Sequence, residues 1–188
     1  MNARIPSALD ELFGIYEKRG TEDYIGEAIS QIEHAAQSAE FAEKNGEEEA
    51  VILAAFFHDI GHLCGDDGTQ NEMNGYGKMS HEKIGANYLR KLGFSETIAR
   101  LVENHVQAKR YLCVVKPEYY PKLSEASKKT LQFQGGVMTQ EEASAFERDP
   151  LFQLSIKMRA WDEAAKEENK PLPDLLVFRT MAERCLSR

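Results

Sequence analysis

The chain has 188 residues, of which 42% are hydrophobic and 29% are charged. A chain of this length can bury a core and is short enough for one domain, so the sequence predicts a single domain over residues 1–188. Its net charge of −8 and isoelectric point near 5.2 argue against a nucleic-acid-binding groove, which needs a dense face of Lys and Arg. Neither a signal peptide nor an apolar run near the roughly 20 residues of a membrane span is found. Cys64, Cys113 and Cys185 form no CxxC pattern, which argues against a disulfide framework or a zinc ribbon. We therefore expect a cytoplasmic protein that acts on small molecules.

Turn and capping residues divide the first half of the chain into helices. Ser7 with Asp10 predicts the start of a helix that ends at Gly20, and an apolar-periodic stretch predicts a second helix over residues 25–44. A nearly continuous apolar run predicts a third, buried helix over residues 47–62. Residues 64–80 contain few apolar residues and several glycines, which predicts a long flexible loop, and such loops are often functional.

The second half of the chain is predicted to be helical as well. Capping residues predict one helix that starts at Ser80, another at Ser95 that carries His105, and a third at Thr139 with Glu142 as its capping box. Further helices are predicted over residues 122–132, over residues 151–168 and after Asp174. Alternating strand patterns of useful length are absent, so the sequence predicts an all-α fold.

The string HDIGH, residues 58–62, directly follows the apolar run. Burying an imidazole or a carboxylate without a partner at the end of such a helix would cost on the order of several kcal/mol of folding free energy. Metal coordination removes that cost. The chain has five histidines, and a late Asp162 lies in another helical segment. Nitrogen and oxygen donors without a thiolate suit iron or manganese better than structural zinc. Six ligands, which suit two metals better than one, are predicted: His34, His58, Asp59, His81, His105 and Asp162.

Helical spacing places further polar side chains beside these ligands, because positions three, four and seven apart share a helix face. This arrangement is typical of a metal site that binds an anionic substrate. Polar pairs are also common on exposed helix faces, and this alternative has equal weight for Ser127 with Thr130. The other predicted sets are Tyr24, Glu27 and Gln31 with His34, His62 with His58, Lys109 with His105, and Arg159 with Asp162.

The order of the six predicted ligands resembles the HD-domain superfamily, specifically its dinuclear members. Longer strings, which span most of the chain, make it similar to the mixed-valent diiron oxygenases of that superfamily. These include myo-inositol oxygenase and, nearer in length and motif, the organophosphonate oxygenases of the PhnZ and TmpB type. The strings are DYIGEAI at 23–29, HDIGH at 58–62, GYGKMSHEKIGANYL at 75–89, HVQAKRYL at 105–112, SEASKKTLQFQGG at 124–136 and KMRAWDE at 157–163.

The resemblance implies a role for each predicted site residue. One iron would take His34, His58 and Asp162, a second would take His81 and His105, and Asp59 would bridge the two. Tyr24 would occupy an open coordination position until substrate arrives, and Glu27 would lie near the substrate amine. Phosphonate-binding positions would be His62, Lys109, Ser127, Thr130 and Arg159.

The implied enzyme is a mixed-valent Fe2+/Fe3+ dioxygenase that uses O2 as co-substrate in organophosphonate catabolism. It would cleave the carbon–phosphorus bond of an (R)-1-hydroxy-2-aminoethylphosphonate, with a primary or an N-trimethylated amine, to phosphate and glycine or glycine betaine. A hydroxylase would supply the 1-hydroxy substrate. Two alternatives stay open: a metal-dependent phosphohydrolase, in which metal-bound hydroxide attacks phosphorus, and a catalytically silent HD module. Tyr24 and Glu27 argue against the hydrolase, which has no evident need for a displaceable phenolate.

Overall fold

The structure is a computed structural model that describes residues 4–24, 26–65 and 73–187. Within these residues the regular secondary structure is helical, and the remaining pairing consists of isolated bridge residues such as Asp23 with Ser30, which confirms the all-α prediction. The helices are α1 (Arg4–Arg19), α2 (Gln31–Lys44), α3 (Glu49–Phe57), α4 (Ile60–Leu63), α5 (His81–Leu92), α6 (Glu96–Val115), α7 (Tyr119–Lys122), α8 (Glu125–Phe133), α9 (Gln140–Phe146), α10 (Phe152–Ala164) and α11 (Leu175–Leu186).

Helix α3 lies at the centre of the core. Every residue from Val51 to Phe57 is buried, and α2, α6, α10 and α11 all pack against the helix. The Phe56 ring stacks on that of Phe178 with centroids 4.3 Å apart, and the Tyr16 hydroxyl donates a hydrogen bond to the Phe56 carbonyl oxygen at 3.2 Å. Burying one such side chain contributes on the order of 2–3 kcal/mol, which explains why this helix is apolar on all sides. The predicted buried helix is confirmed.

The predicted third helix is interrupted, however, where the HD pair begins. Helix α3 ends at Phe57, Asp59 has φ −102° and ψ 7°, and the short helix α4 starts at Ile60. The prediction of one continuous helix over residues 47–62 was therefore wrong. His58 follows the last residue of α3 and His62 lies in α4, so the two do not share the face of one helix.

The second helix also starts later than predicted, at Gln31 instead of residue 25. A capping box sets this start: the Ser30 hydroxyl accepts a hydrogen bond from the Glu33 amide, and the Glu33 carboxylate accepts one from the Ser30 amide at 2.6 Å. Ile25 lies outside the described residues. The segment before the cap is a turn, in which the Tyr24 amide donates to the Ile29 carbonyl oxygen at 2.8 Å.

Of the four other capping predictions, two were confirmed and two were wrong. Ser95 caps α6, and Thr139 with Glu142 forms the capping box of α9, both as predicted. Ser80 does precede α5, but it is left-handed, with φ 58°, and its side chain makes no capping hydrogen bond. Ser7 lies within α1 instead of capping it.

The remaining boundaries are close to those predicted. Helix α8 begins at Glu125, and α11 follows Asp174, whose side chain accepts a hydrogen bond from the Leu176 amide. Helix α10 ends at Ala164, four residues before the predicted end. Residues 66–72 of the predicted loop lie outside the described residues. The three cysteines, all among the described residues, form no disulfide.

No helix in the described part of the chain is both long enough and apolar enough to span a membrane.

Gly61, inside the HDIGH string, allows α4 to lie directly against the start of α5. A Cβ atom at Gly61 would lie 1.9 Å from the carbonyl oxygen of His81, and one at Gly85 would lie 3.1 Å from the Gly61 nitrogen. The contact is between backbones, which cannot rotate away as a flexible side chain can. Glycine is therefore required at this position by the approach of two helices.

We predict that Gly61→Ala destabilises the protein by about 3 kcal/mol, because the added methyl group must push α5 away. Gly14→Ala is the matched control, since a Cβ there meets nothing within 4 Å and alanine favours a helix by about 1 kcal/mol. Urea unfolding of both variants measures the two effects. Equal unfolding free energies for Gly61→Ala and the wild type would contradict this account of the helix contact.

Candidate metal centre

The fold brings all six predicted metal ligands to one place. They come from helices far apart in sequence: α2, α5, α6 and α10 each contribute one residue, and the junction of α3 and α4 contributes two. The four imidazoles and Asp162 are buried, and the Asp59 side chain is 12% exposed. These residues are His34, His58, Asp59, His81, His105 and Asp162.

One group of ligand atoms forms around His34 and His58. Their Nε2 atoms lie 3.1 Å apart. Asp162 Oδ1 lies 3.4 Å from the Nε2 of His34, and Asp59 Oδ2 lies 3.4 Å from the Nε2 of His58. Two imidazole nitrogens and two carboxylate oxygens thus face a common point.

A second group forms around His81 and His105. Their Nε2 atoms also lie 3.1 Å apart, and Asp59 Oδ1 lies 3.3 Å from the first and 3.4 Å from the second. Asp59 therefore presents one carboxylate oxygen to each group. A carboxylate in this position can hold two cations at once.

Backbone carbonyl groups orient all four imidazoles. The Nδ1 atoms of His34, His58 and His105 lie 2.8, 2.8 and 2.6 Å from the carbonyl oxygens of Ala165, Ala55 and Val102. The Nδ1 of His81 lies 3.3 Å from the Lys78 carbonyl oxygen. A carbonyl oxygen only accepts, so each ring carries a proton on Nδ1 and leaves the Nε2 lone pair of its neutral form free for a metal.

These donor atoms fit a metal ion, because acceptors that converge in a buried site require a cation. Burial raises the pKa of Asp59, but the imidazoles of His58, His105 and His81 outweigh burial and hold this pKa well below its usual range. Burial lowers the pKa of His58, yet Asp59 and Asp162 outweigh it and raise that pKa to about 9. The cluster therefore attracts either a proton or a metal, and metal binding would release the proton.

A cleft of about 580 Å³, including solvent at its mouth, opens onto this cluster. Asp59, His81, His105 and Asp162 form part of its wall. All seven predicted substrate-binding residues line the same cleft: Tyr24, Glu27, His62, Lys109, Ser127, Thr130 and Arg159.

Two buried cations lie on one side of this cleft. Lys109 Nζ donates to the Thr130 hydroxyl at 3.0 Å, and burial together with Arg159 lowers the pKa of Lys109 to about 7. Arg159 Nη1 donates to Asp162 Oδ2 at 2.5 Å, and its Nε donates to the Tyr119 hydroxyl at 2.9 Å. Burial lowers the pKa of Arg159, but Asp162 and Tyr119 outweigh burial and raise it well above its usual value. The arrangement offers cationic donors to an anion next to the candidate metal ligands.

His62 lies beside the second group of ligands. Its ring stacks on that of His81 with centroids 3.9 Å apart, and its Nδ1 accepts a hydrogen bond from the Lys78 amide at 3.0 Å. Burial and the neighbouring His81 hold the pKa of His62 well below its usual value, so the ring is neutral. A neutral imidazole that accepts at Nδ1 carries its proton on Nε2, which makes it a hydrogen-bond donor. Ligand atoms of Asp59, His62 and His81 lie within 4.8 Å of one another, but the His62 lone pair already accepts from the Lys78 amide, so His62 serves better as a hydrogen-bond donor than as a metal ligand.

Tyr24 and Glu27 reach the cleft from the turn before α2, and the predicted shared helix face with His34 was wrong. The Tyr24 ring stacks on the His34 imidazole with centroids 3.8 Å apart. Burial raises the pKa of Tyr24 well above its usual value, and Asp162 adds to this. Gly26, with φ +84°, lets the turn pack against α8, where a Cβ would lie 2.9 Å from the Ala126 Cβ. The two side chains thus reach the site through a turn that periodicity alone does not reveal.

Several contacts in and beside the cleft were not predicted. Lys166 forms an ion pair with Glu27, Lys129 donates to the hydroxyl of Tyr76 at 2.5 Å, and the buried Oε1 of Gln134 has no hydrogen-bond partner among the described residues. Tyr119 holds Arg159, as described above. Gln134 lies within the QGG string, but its residue type gave no signal of a ligand site. The ion pair and the Tyr119 contact join distant segments, so only the fold reveals them.

An all-helical fold with four imidazoles and one further carboxylate around a shared aspartate is typical of a metal-binding protein of the HD type. A sequence profile of the HD domain matches residues 31–144. The chain therefore belongs to the HD-domain family. Asp162 lies beyond the matched residues, but its Oδ1 lies 3.4 Å from the Nε2 of His34, which is among them.

Three relatives align over most of their length. The chain is 41% identical over 175 residues to the glycine-betaine-forming 1-hydroxy-2-(trimethylamino)ethylphosphonate dioxygenase of Leisingera caerulea, over 93% of this chain and 88% of that protein. It is 36% identical over 177 residues to the hydroxymethylphosphonate dioxygenase of Gimesia maris, over 93% and 86%. It is 44% identical over 179 residues to an uncharacterized protein of Acanthamoeba polyphaga mimivirus, over 95% and 82%.

We predict that Asp59→Asn removes most of the stabilisation that metal gives the protein, because it takes the charge from the carboxylate shared by both groups. Fe2+ added anaerobically at about 100 times its dissociation constant should stabilise the wild type by about 2.7 kcal/mol, or roughly 5–10 °C in Tm. Asp10→Asn is the control, since Asp10 is 71% exposed and pairs with Arg179. Thermal unfolding with and without metal measures the shift, and an undiminished shift in Asp59→Asn would show that metal binds elsewhere.

Proposed function

We propose that the protein is an iron-dependent oxygenase that uses O2 to break the carbon–phosphorus bond of a 1-hydroxyphosphonate. The observation that supports this most strongly is the cleft wall, where two buried cations lie beside the candidate metal ligands. Lys109 and Arg159 provide the cations, and the hydroxyls of Ser127 and Thr130 line the same cleft. A tetrahedral dianion needs such donors, because charge-assisted hydrogen bonds are about twice as strong as neutral ones. Two relatives are named as phosphonate dioxygenases, which agrees with a phosphonate substrate.

In this proposal the two groups of ligands hold two iron ions, as an Fe2+/Fe3+ pair. His34, His58 and Asp162 would hold one, His81 and His105 the other, and Asp59 both. When bound, the iron ions would supply the activation of O2 and the electron transfers that side chains cannot provide. Mixed imidazole and carboxylate ligands without a thiolate suit iron.

The protein's own residues would bind and orient the phosphonate. Arg159 is held between Asp162 and the Tyr119 hydroxyl, so its guanidinium has a fixed direction in the cleft. Lys109 is held by Thr130, and its lowered pKa means that a bound dianion would stabilise its protonated form. Neutral His62 would donate a further hydrogen bond. These contacts would fix the substrate's phosphorus end against the ligand cluster.

The proposed reaction balances with one O2 for each bond broken. C1 loses its bond to phosphorus and its hydrogen and is oxidised by four electrons to a carboxylate, while O2 is reduced by four electrons. Its two oxygen atoms enter the products, which are a carboxylate and inorganic phosphate. Because the 1-hydroxyl group must already be present, a hydroxylating reaction would supply the substrate.

The group attached to C1 is the variable part of the proposed substrate. The resemblance implies an aminomethyl group, as a primary ammonium or trimethylammonium ion, with Glu27 as its partner and with glycine or glycine betaine as the product. The relative from Gimesia maris is named for hydroxymethylphosphonate, which has no nitrogen. We propose 1-hydroxy-2-aminoethylphosphonate, in either form of the amine, as the first substrates to test.

We predict that the iron-loaded protein releases phosphate from a 1-hydroxyphosphonate only when O2 is present, with one O2 consumed per phosphate. Parallel measurements of phosphate and of O2, with 1-hydroxy-2-aminoethylphosphonate, its N-trimethyl form and hydroxymethylphosphonate, test this. Lys109→Met should lower kcat/KM by at least roughly 30-fold, the equivalent of 2–5 kcal/mol for an unpaired buried charge.

Lys128→Met is the matched control for that variant, because Lys128 lies on α8 and pairs with the exposed Glu125 outside the cleft. It should retain wild-type kcat/KM. Phosphate release at the same rate under strict anaerobiosis would overturn the oxygenase proposal in favour of the metal-dependent phosphohydrolase.

A further inference from the structure

We infer that Lys166 is a specificity-determining residue that neutralises Glu27 in the free protein and gives way to a cationic nitrogen of the substrate. The inference rests on the proposed function, because it concerns the substrate that the same cleft would bind. It assigns a role to a lysine that lies outside every motif singled out in the sequence.

The contact itself is an ion pair inside the cleft. Lys166 Nζ donates to the Glu27 carboxylate, although the two residues are 139 positions apart in the chain. Both residues line the cleft that holds the candidate metal ligands. Their side chains are 28% and 21% exposed, so the pair is reached by solvent and by a ligand that enters the cleft.

The backbone on both sides of Lys166 is fixed to α2. The carbonyl oxygen of Ala165 accepts from His34 Nδ1 at 2.8 Å. Glu167 exchanges two hydrogen bonds of 2.9 Å with the side chain of Gln37, one through its amide and one through its carbonyl oxygen. Lys166 therefore lies between two anchored residues, and its position at the cleft is set by the same contact that orients a metal ligand.

Glu27 is held in a comparable way. Its amide donates to the Tyr24 carbonyl oxygen at 3.0 Å, and the Tyr24 ring stacks on His34. The carboxylate thus belongs to a turn that packs against the ligand cluster. A cation that exchanges at Glu27 would do so next to Tyr24, the residue proposed to respond to substrate.

Two cations that compete for one carboxylate give selectivity by charge. A partly exposed ion pair is weak enough for a substrate ammonium to displace it, since such pairs change equilibria by roughly two- to fivefold. Lys166 would weaken the binding of a cationic substrate by that factor, because both cations need the same carboxylate. Its presence would also prevent Glu27 from repelling substrates that have no cationic nitrogen.

Binding of two inert phosphonates of similar length tests the inference. The iron-loaded wild type is titrated anaerobically with 2-aminoethylphosphonate and with propylphosphonate, which both lack the 1-hydroxyl group required for turnover. The readout is the ratio of the two Kd values, propyl over aminoethyl, measured by calorimetry. Lys166→Met should raise this ratio roughly two- to fivefold, because the competing cation is gone.

Two further variants make the result specific. Lys170→Met is the matched control: Lys170 lies on the same segment but pairs with Glu40 at 2.5 Å, outside the cleft, and its loss should leave the ratio unchanged. In a Glu27→Gln background, Lys166→Met should no longer alter the ratio, because the carboxylate that both cations share is absent.

An unchanged or lowered ratio in Lys166→Met, an equal rise in Lys170→Met, or a persistent effect in the Glu27→Gln background would overturn the inference. In each of these cases the phosphonates still bind, so the proposed function survives. Failure of both phosphonates to bind the wild type would instead overturn the proposed function and the inference with it.

Discussion

The carboxylate of Asp59 is the constraint on which the rest of this structure depends. One of its oxygens lies 3.4 Å from an imidazole nitrogen of His58, and the other lies 3.3 Å from one of His81. Backbone carbonyls hold a proton on the far side of each ring, so the near nitrogens are acceptors. Acceptors that converge in a buried site are costly unless a cation or a proton satisfies them, so a metal ion bound here would also stabilise the core.

The fold supplies this arrangement through one apolar helix and the turn at its end. Helix α3 is buried on all sides, which fixes the position of His58, and the break in the chain then turns Asp59 toward both groups of imidazoles. Gly61 allows α4 to touch the backbone of His81, the first residue of α5. The position of His81 is therefore set by backbone packing, and that of His58 by the burial of α3.

The sequence predicted which side chains converge in the core because their chemistry is unusual at buried positions: histidine and aspartate are costly there unless they are paired. That these side chains bind metal stays a prediction. The turn that carries Tyr24 and Glu27 was predicted as helix, because spacing alone cannot distinguish a helix from a turn that a capping box ends. The ion pair of Glu27 with Lys166 could not be predicted at all. It joins segments that meet only in the folded chain, and neither residue type is unusual at a surface.

The most direct test of the account is the electronic state of iron in the purified protein. If Asp59 is shared by two metal sites, the wild type should bind two iron ions per chain, and partial reduction should give the electron paramagnetic resonance signal of an antiferromagnetically coupled Fe2+/Fe3+ pair. A single iron per chain with an isolated high-spin Fe3+ signal, at saturating iron, would contradict the shared-carboxylate account.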